Sequence, residues 1–118
     1  MKYVVLINQD ARSREWRSAP AEEQASIQAA WGRFVQTRGV TPGEYLEPPE
    51  TATTVRIVDR QTLIADGPYV ETKEALDGFC TIEAADLDAA IELAKQIPSL
   101  SVGGCVEIRP VVVDWSRS

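Results

Sequence analysis

The chain has 118 residues, 44% apolar and 25% charged, enough to bury one core but not two and too apolar for a disordered chain. Eighteen acidic residues against twelve basic ones leave a net charge of −6, which repels phosphate backbones and anionic lipid and disfavours nucleic acid and membrane surfaces as partners. With no histidine, the polypeptide itself supplies no imidazole for proton transfer, for a Ser-His-Asp triad or for a His-ligated metal.

Lys2 to Asn8 reads as a β-strand with two apolar faces, Tyr3, Val5 and Ile7 against Val4 and Leu6, as in a strand covered on both sides. The run is too short for a signal peptide or a membrane span, so a cytoplasmic location is expected. From Ser18 to Arg38 the residues Ile27, Ala30, Trp31, Phe34 and Val35 form one stripe of an amphipathic helix. Ser18 is its expected cap, Pro20 sits in its first turn, and Gly39 suits the left-handed position after its end. Gly32 inside it costs about 1 kcal/mol relative to Ala, which a close backbone approach would explain.

The patch from Glu47 to Glu50, EPPE, reads as a loop. Ala52 to Val58 alternates as a strand, and Asp59, Arg60 and Gln61 turn the chain into a second strand, Thr62 to Ala65, making a hairpin. The next stretch, Ile64 to Phe79, reads IADGPYVETKEALDGF. Pro68, Gly67 and Gly78 punctuate it too heavily for one helix or strand, so it is expected to be a loop holding one shape. Phe79 to Ala84 is a strand, Asp86 caps a helix carrying Leu87, Ala90, Ile91 and Ala94, and Pro98 stops it. After a loop from Ser99 to Gly104, Cys105 to Val113 forms the last strand.

The order strand, helix, hairpin or two strands, helix, strand predicts a single α+β domain over 1–118, with a ferredoxin-like split βαβ sheet carrying both helices on one face. The opposite face would be bare and apolar, and a second copy of the chain is the simplest cover. Cys80 and Cys105 lack the spacing of a zinc or redox motif and are expected as reduced core residues on strands that do not neighbour each other.

Three motifs in order, DGPYVETKEALDGF, IEAADLDAAIELA and VEIRPV, together with KYVVLI and ATTVRIVD, resemble the YCII-related family, also called the DGPF-domain family. The resemblance covers nearly the whole chain. It implies the dimeric α+β barrel arrangement, in which two ferredoxin-like sheets pack face to face around a central pocket. It implies little about chemistry: most members have no assigned reaction, and some are linked to extracytoplasmic-function sigma factors by fusion or neighbourhood. Some branches carry a His and Asp pair, and this chain has no histidine. It also has Asp77 where the family tends to show a second Gly before the aromatic position, here Phe79.

Asp66, the acid of the family's DGP motif, is the candidate general base; the competing role is a turn in which its carboxylate accepts backbone N–H groups. Tyr69, Glu71, Thr72 and Lys73 are candidate ligand contacts, against packing for Tyr69 and capping of a one-turn helix ending at Gly78 for Thr72. Arg56 and Arg109 are candidate anchors for a ligand carboxylate, against ion pairs with Glu83 or Glu107. No phosphate loop, EF-hand pattern or nucleophile elbow occurs, and no cofactor or metal is expected. Two functions follow. The preferred one is a homodimeric, non-catalytic sensor or regulatory module binding a small organic ligand between the sheets; the alternative is a cofactor-independent lyase or isomerase using Asp66 as base.

Overall fold

The computed structural model describes residues 1–68 and 73–113. Strand β1 (Lys2–Gln9) leads through a 3-10 turn at Glu15–Ser18 into helix α1 (Ala21–Val35), followed by β2 (Val40–Tyr45), the hairpin strands β3 (Thr53–Val58) and β4 (Gln61–Asp66), then β5 (Ala75–Glu83), helix α2 (Leu87–Ala94) and β6 (Cys105–Pro110). Four strands form one antiparallel sheet in the order β2-β5-β1-β6. The fold is thus α+β and compatible with a ferredoxin-like fold.

Side chains alternate along β1, so Tyr3, Val5 and Ile7 share one face and are buried there. Across the ladder Val5 stands opposite Cys80 on one side and Ile108 on the other. Phe34 of α1 and Ala90 and Ala94 of α2 close over Tyr3, Val5, Cys80 and Ile82, which puts both helices on this face and the core between. Asp86 caps α2 as expected, its carboxylate accepting the Ala89 N–H at 2.9 Å. The other face is open: Val4 and Leu6 are half-buried at its centre, and Leu76 and Phe79 are exposed beside them.

Several expectations need correction. Helix α1 starts at Ala21, after Pro20, and no side chain caps it; Ser18 instead ends the preceding 3-10 turn. Gln24 ties the two together, its Nε2 donating to the carbonyls of Arg17 and Ala19, both at 2.9 Å. Gly39 does take a left-handed conformation, with φ of 92°. Gly32 meets no close neighbour, since a Cβ there would find nothing within 4 Å. Cys105 is exposed rather than in the core, while Cys80 is buried.

The larger correction concerns the edge of the sheet. Residues Val40–Tyr45, VTPGEY, form β2 and pair with β5, where the sequence pattern predicts no strand. The hairpin does form, with β3 and β4 paired from Thr53 opposite Asp66 to Val58 opposite Gln61. Asp59 and Arg60 both have positive φ, 50° and 66°, as a two-residue type I′ turn requires. It is, however, a separate two-stranded sheet. Among the described residues, its contacts with the other elements are slight. The radius of gyration, 16.2 Å, exceeds the ~13–14 Å of a compact domain this long, in keeping with a projecting hairpin.

Candidate functional site

The site begins at an irregularity in the β1–β5 ladder. Ile7 stands opposite Gly78 but Asn8 opposite Leu76, so Asp77 is an extra residue on β5. The bulge turns Asp77 inward, where it is fully buried. Such a carboxylate needs partners. Arg14 Nε donates to its Oδ1 at 3.2 Å, and Arg17 Nη2 donates to its Oδ2 at 2.9 Å. Both arginines lie on the segment that leaves β1, and Arg14 Nη2 also donates to the carbonyl of Gln9. The Asp77 carbonyl accepts the Leu46 N–H at 2.8 Å. One residue thus fastens the exit of β1 and the exit of β2 to the start of β5.

These exits frame a cleft of about 680 Å³, within the range of small-molecule sites. Leu46, Pro48, Pro49, Ala52, Pro68 and Leu76 supply its apolar wall, and Asn8, Glu47 and Glu74 its polar points. The wall is stiff for a local reason: Pro48 and Pro49 fix their own φ, and a 3-10 turn over Pro49–Thr51 is tied by Thr51 Oγ1 donating to the Pro48 carbonyl at 2.6 Å. At the β6 side, Asn8 Nδ2 donates to Glu107 Oε1 at 3.2 Å, and the Cys105 thiol donates to Glu74 Oε2 at 2.8 Å. The Glu74 hydrogen bond, followed by desolvation and by the charges of Glu74 and Glu107, pushes the Cys105 thiol up to about 11. At neutral pH it is therefore protonated and a weak nucleophile.

Two smaller clefts adjoin. One of about 280 Å³ shares Pro49, Pro68 and Ala75 with the first and carries Arg14, Lys73 and Glu50. Nearby, Asp10 is held below the usual carboxylate range, first by the Ser13 backbone N–H, which donates to it at 2.7 Å, then by the Ser13 hydroxyl. The other, about 310 Å³, shares Leu46 and Glu47 and is walled by Trp16, Tyr45, Arg17 and two glutamines. Here the Arg17 guanidinium sits 5.0 Å from the centre of the Tyr45 ring, and Trp16 meets that ring edge-on at 6.2 Å. Burial pushes the Tyr45 hydroxyl pKa up.

Of the residues singled out from sequence, Lys73 lines the 280 Å³ cleft, while Asp66, Arg56 and Arg109 line none of the three described above. Asp66 is exposed at the end of β4. The turn after it is held by the Gly67 N–H donating to the Ala52 carbonyl at 2.7 Å and by Thr54 Oγ1 donating to the Gly67 carbonyl at 2.8 Å. Among the described residues, no hydrogen bond reaches the Asp66 carboxylate. Arg56 and Arg109 are exposed on β3 and β6, and Glu107 bonds Asn8. Tyr69, Glu71 and Thr72 lie outside the described residues. The stretch up to Gly78 is not all connector, because β5 already begins at Ala75, so no helical turn ends at Gly78. Asp77, Arg14 and Arg17 were missed as a group; an acid in place of a family glycine was the available signal. Among the described residues no group of three or more Cys, Asp or Glu is placed to hold a metal, and no helix is long and apolar enough to cross a membrane.

Two helices over one face of an antiparallel sheet, with a mainly apolar cleft where the strands end, define a small α+β domain with room for one modest ligand. Residues 1–116 match the YCII-related domain, and the chain belongs to the YCII-related family. It is also similar to an uncharacterised protein of Rhizobium meliloti (strain 1021), 31% identical over 116 residues that cover 96% of this chain and 94% of the relative.

Proposed function

We propose that this protein is a non-catalytic ligand-binding module, a sensor or regulator that works as a homodimer. The observation that carries the reading is the 680 Å³ cleft, with a mainly apolar wall and a few polar groups, the usual build of a small-molecule site. Its ligand is a small organic molecule with an apolar body and a hydrogen-bonding group that reaches Asn8, Glu47 or Glu74. The open sheet face, with Val4, Leu6, Leu76 and Phe79, is the surface for the second copy.

Binding is preferred over catalysis on chemical grounds. The chain has no histidine, the thiol nearest the cleft stays protonated at neutral pH, and Asp66 is exposed outside the cleft. A proton transfer at Asp66 would need a ligand brought to it by some other wall.

A library of small amphipathic compounds, followed by amide chemical shifts, tests the reading. Hits should perturb Leu46, Ala52, Ala75 and Leu76 together, and Ala52→Trp, which fills the cleft, should abolish the response. Perturbations confined to the hairpin or the helices, or binding unaffected by Ala52→Trp, would overturn the cleft as the site.

A further inference from the structure

We propose that the 680 Å³ cleft selects amphipathic amines, holding a protonated amino group among its acceptors and an apolar body along its wall; the inference rests on the cleft being the ligand site proposed above. A ligand has to complement the donors and acceptors that the fold leaves over. The donors of this cleft are largely spent. Three of the residues lining it, Pro48, Pro49 and Pro68, have no backbone N–H to offer. The N–H groups of Leu46, Thr51 and Ala52 donate to the carbonyls of Asp77, Pro48 and Pro49, at 2.8, 2.9 and 3.0 Å. Thr51 Oγ1 donates to the Pro48 carbonyl, and Asn8 Nδ2 donates to Glu107.

Oxygen lone pairs are what remains, chiefly those of the Glu47 and Glu74 carboxylates. Charge selects in the same direction, because among the described residues lining the cleft none is Lys or Arg. Arg14 and Lys73 line the adjoining 280 Å³ cleft instead. A carboxylate or phosphate entering here would meet two like charges and few N–H groups to replace its hydration. An ammonium group brings three donors and the opposite charge, and its hydrogen bonds to carboxylate are the strong, charge-assisted kind. The net charge of −6 draws such a cation toward the protein from a distance.

Phenethylamine, phenethyl alcohol and hydrocinnamate share a phenylethyl body and differ in the end group. Titrating each at neutral pH, with the amide chemical shifts of Leu46, Ala52, Ala75 and Leu76 as the readout, tests the selection. The amine should bind about tenfold or more tightly than the alcohol, with hydrocinnamate weakest. A Glu47→Gln/Glu74→Gln double variant should bring the amine down to the affinity of the alcohol and leave the alcohol unchanged; both glutamates are exposed, so the fold should persist. Alcohol or hydrocinnamate binding as tightly as the amine through the same four amides, or a double variant that keeps the wild-type affinity for the amine, overturns the amine and leaves the cleft as a ligand site. Amine shifts confined to amides away from the cleft overturn both. Silence from all three probes overturns the amine and leaves the cleft to the wider compound library.

Discussion

Asp77 and Arg17 meet at 2.9 Å across the floor of the fold, the carboxylate wholly buried and the guanidinium one-quarter exposed. Arg14 takes the other oxygen at 3.2 Å and is 15% exposed. Removing a buried charge partner typically costs ~3–5 kcal/mol, and the partial exposure of both arginines sets Asp77→Ala at the lower end, about 3 kcal/mol. Urea unfolding should show a lower midpoint with an unchanged slope. A loss below about 0.5 kcal/mol would mean the three charges are not a structural tie.

Gly32 lies in helix α1, is exposed, and has open space where a side chain would go. Gly32→Ala should therefore stabilise the protein by about 0.5–1 kcal/mol through helix propensity alone. A thermal melt that stays put or falls would reveal a neighbour over this part of α1 in solution.

Thr54, rather than Asp66, ties the turn at Gly67 through its side chain. Because the Thr54 hydroxyl donates to the Gly67 carbonyl, Thr54→Val should cost about 1 kcal/mol. Asp66→Ala and Asp66→Asn should both stay within about 0.5 kcal/mol of wild type, as exposed substitutions usually do. Chemical denaturation of the three variants ranks them, and a larger loss from Asp66→Ala than from Thr54→Val would return the turn to the carboxylate.

Cys80 is pushed up to about 11 by burial, from an ordinary value of 9.0. In the fold it keeps its proton after the unfolded chain has lost its own. Stability from this source is full below about pH 9 and lost as pH rises toward 11. Melting temperature should fall across that interval, and Cys80→Ala should flatten the decline. Native alkylation at neutral pH should modify Cys105 slowly and Cys80 not at all; Glu74→Gln, which removes the charge beside the thiol, should speed labelling of Cys105.

How much of this was legible in the sequence depends on what each residue answers to. Side chains governed by periodicity were placed well: the stripe from Ile27 to Val35, the buried Tyr3, Val5 and Ile7, and the hairpin turn at Asp59 and Arg60. β2 was missed because Pro42 and Gly43 argue against a strand locally. On an edge, Pro42 has no ladder bond to lose on its outer side, and Gly43 is required because a Cβ there would collide with the Phe79 carbonyl oxygen. Both reasons are tertiary. The cleft was missed with it, since Leu46 and the prolines only become a wall once β2 has delivered them to β5. Asp77 was visible as a departure from the family pattern, but its partners lie some sixty positions earlier in the chain, a pairing no local reading supplies.

The ring contacts around Tyr45 have a practical consequence. Trp16 and Trp31 both meet the Tyr45 ring edge-on, at 6.2 and 5.3 Å, and the next residue, Leu46, lines the main cleft. The protein therefore carries its own optical gauge: a molecule that settles against Leu46 will shift the packing of two indoles and change their emission, so occupancy can be followed by tryptophan fluorescence without attaching a dye.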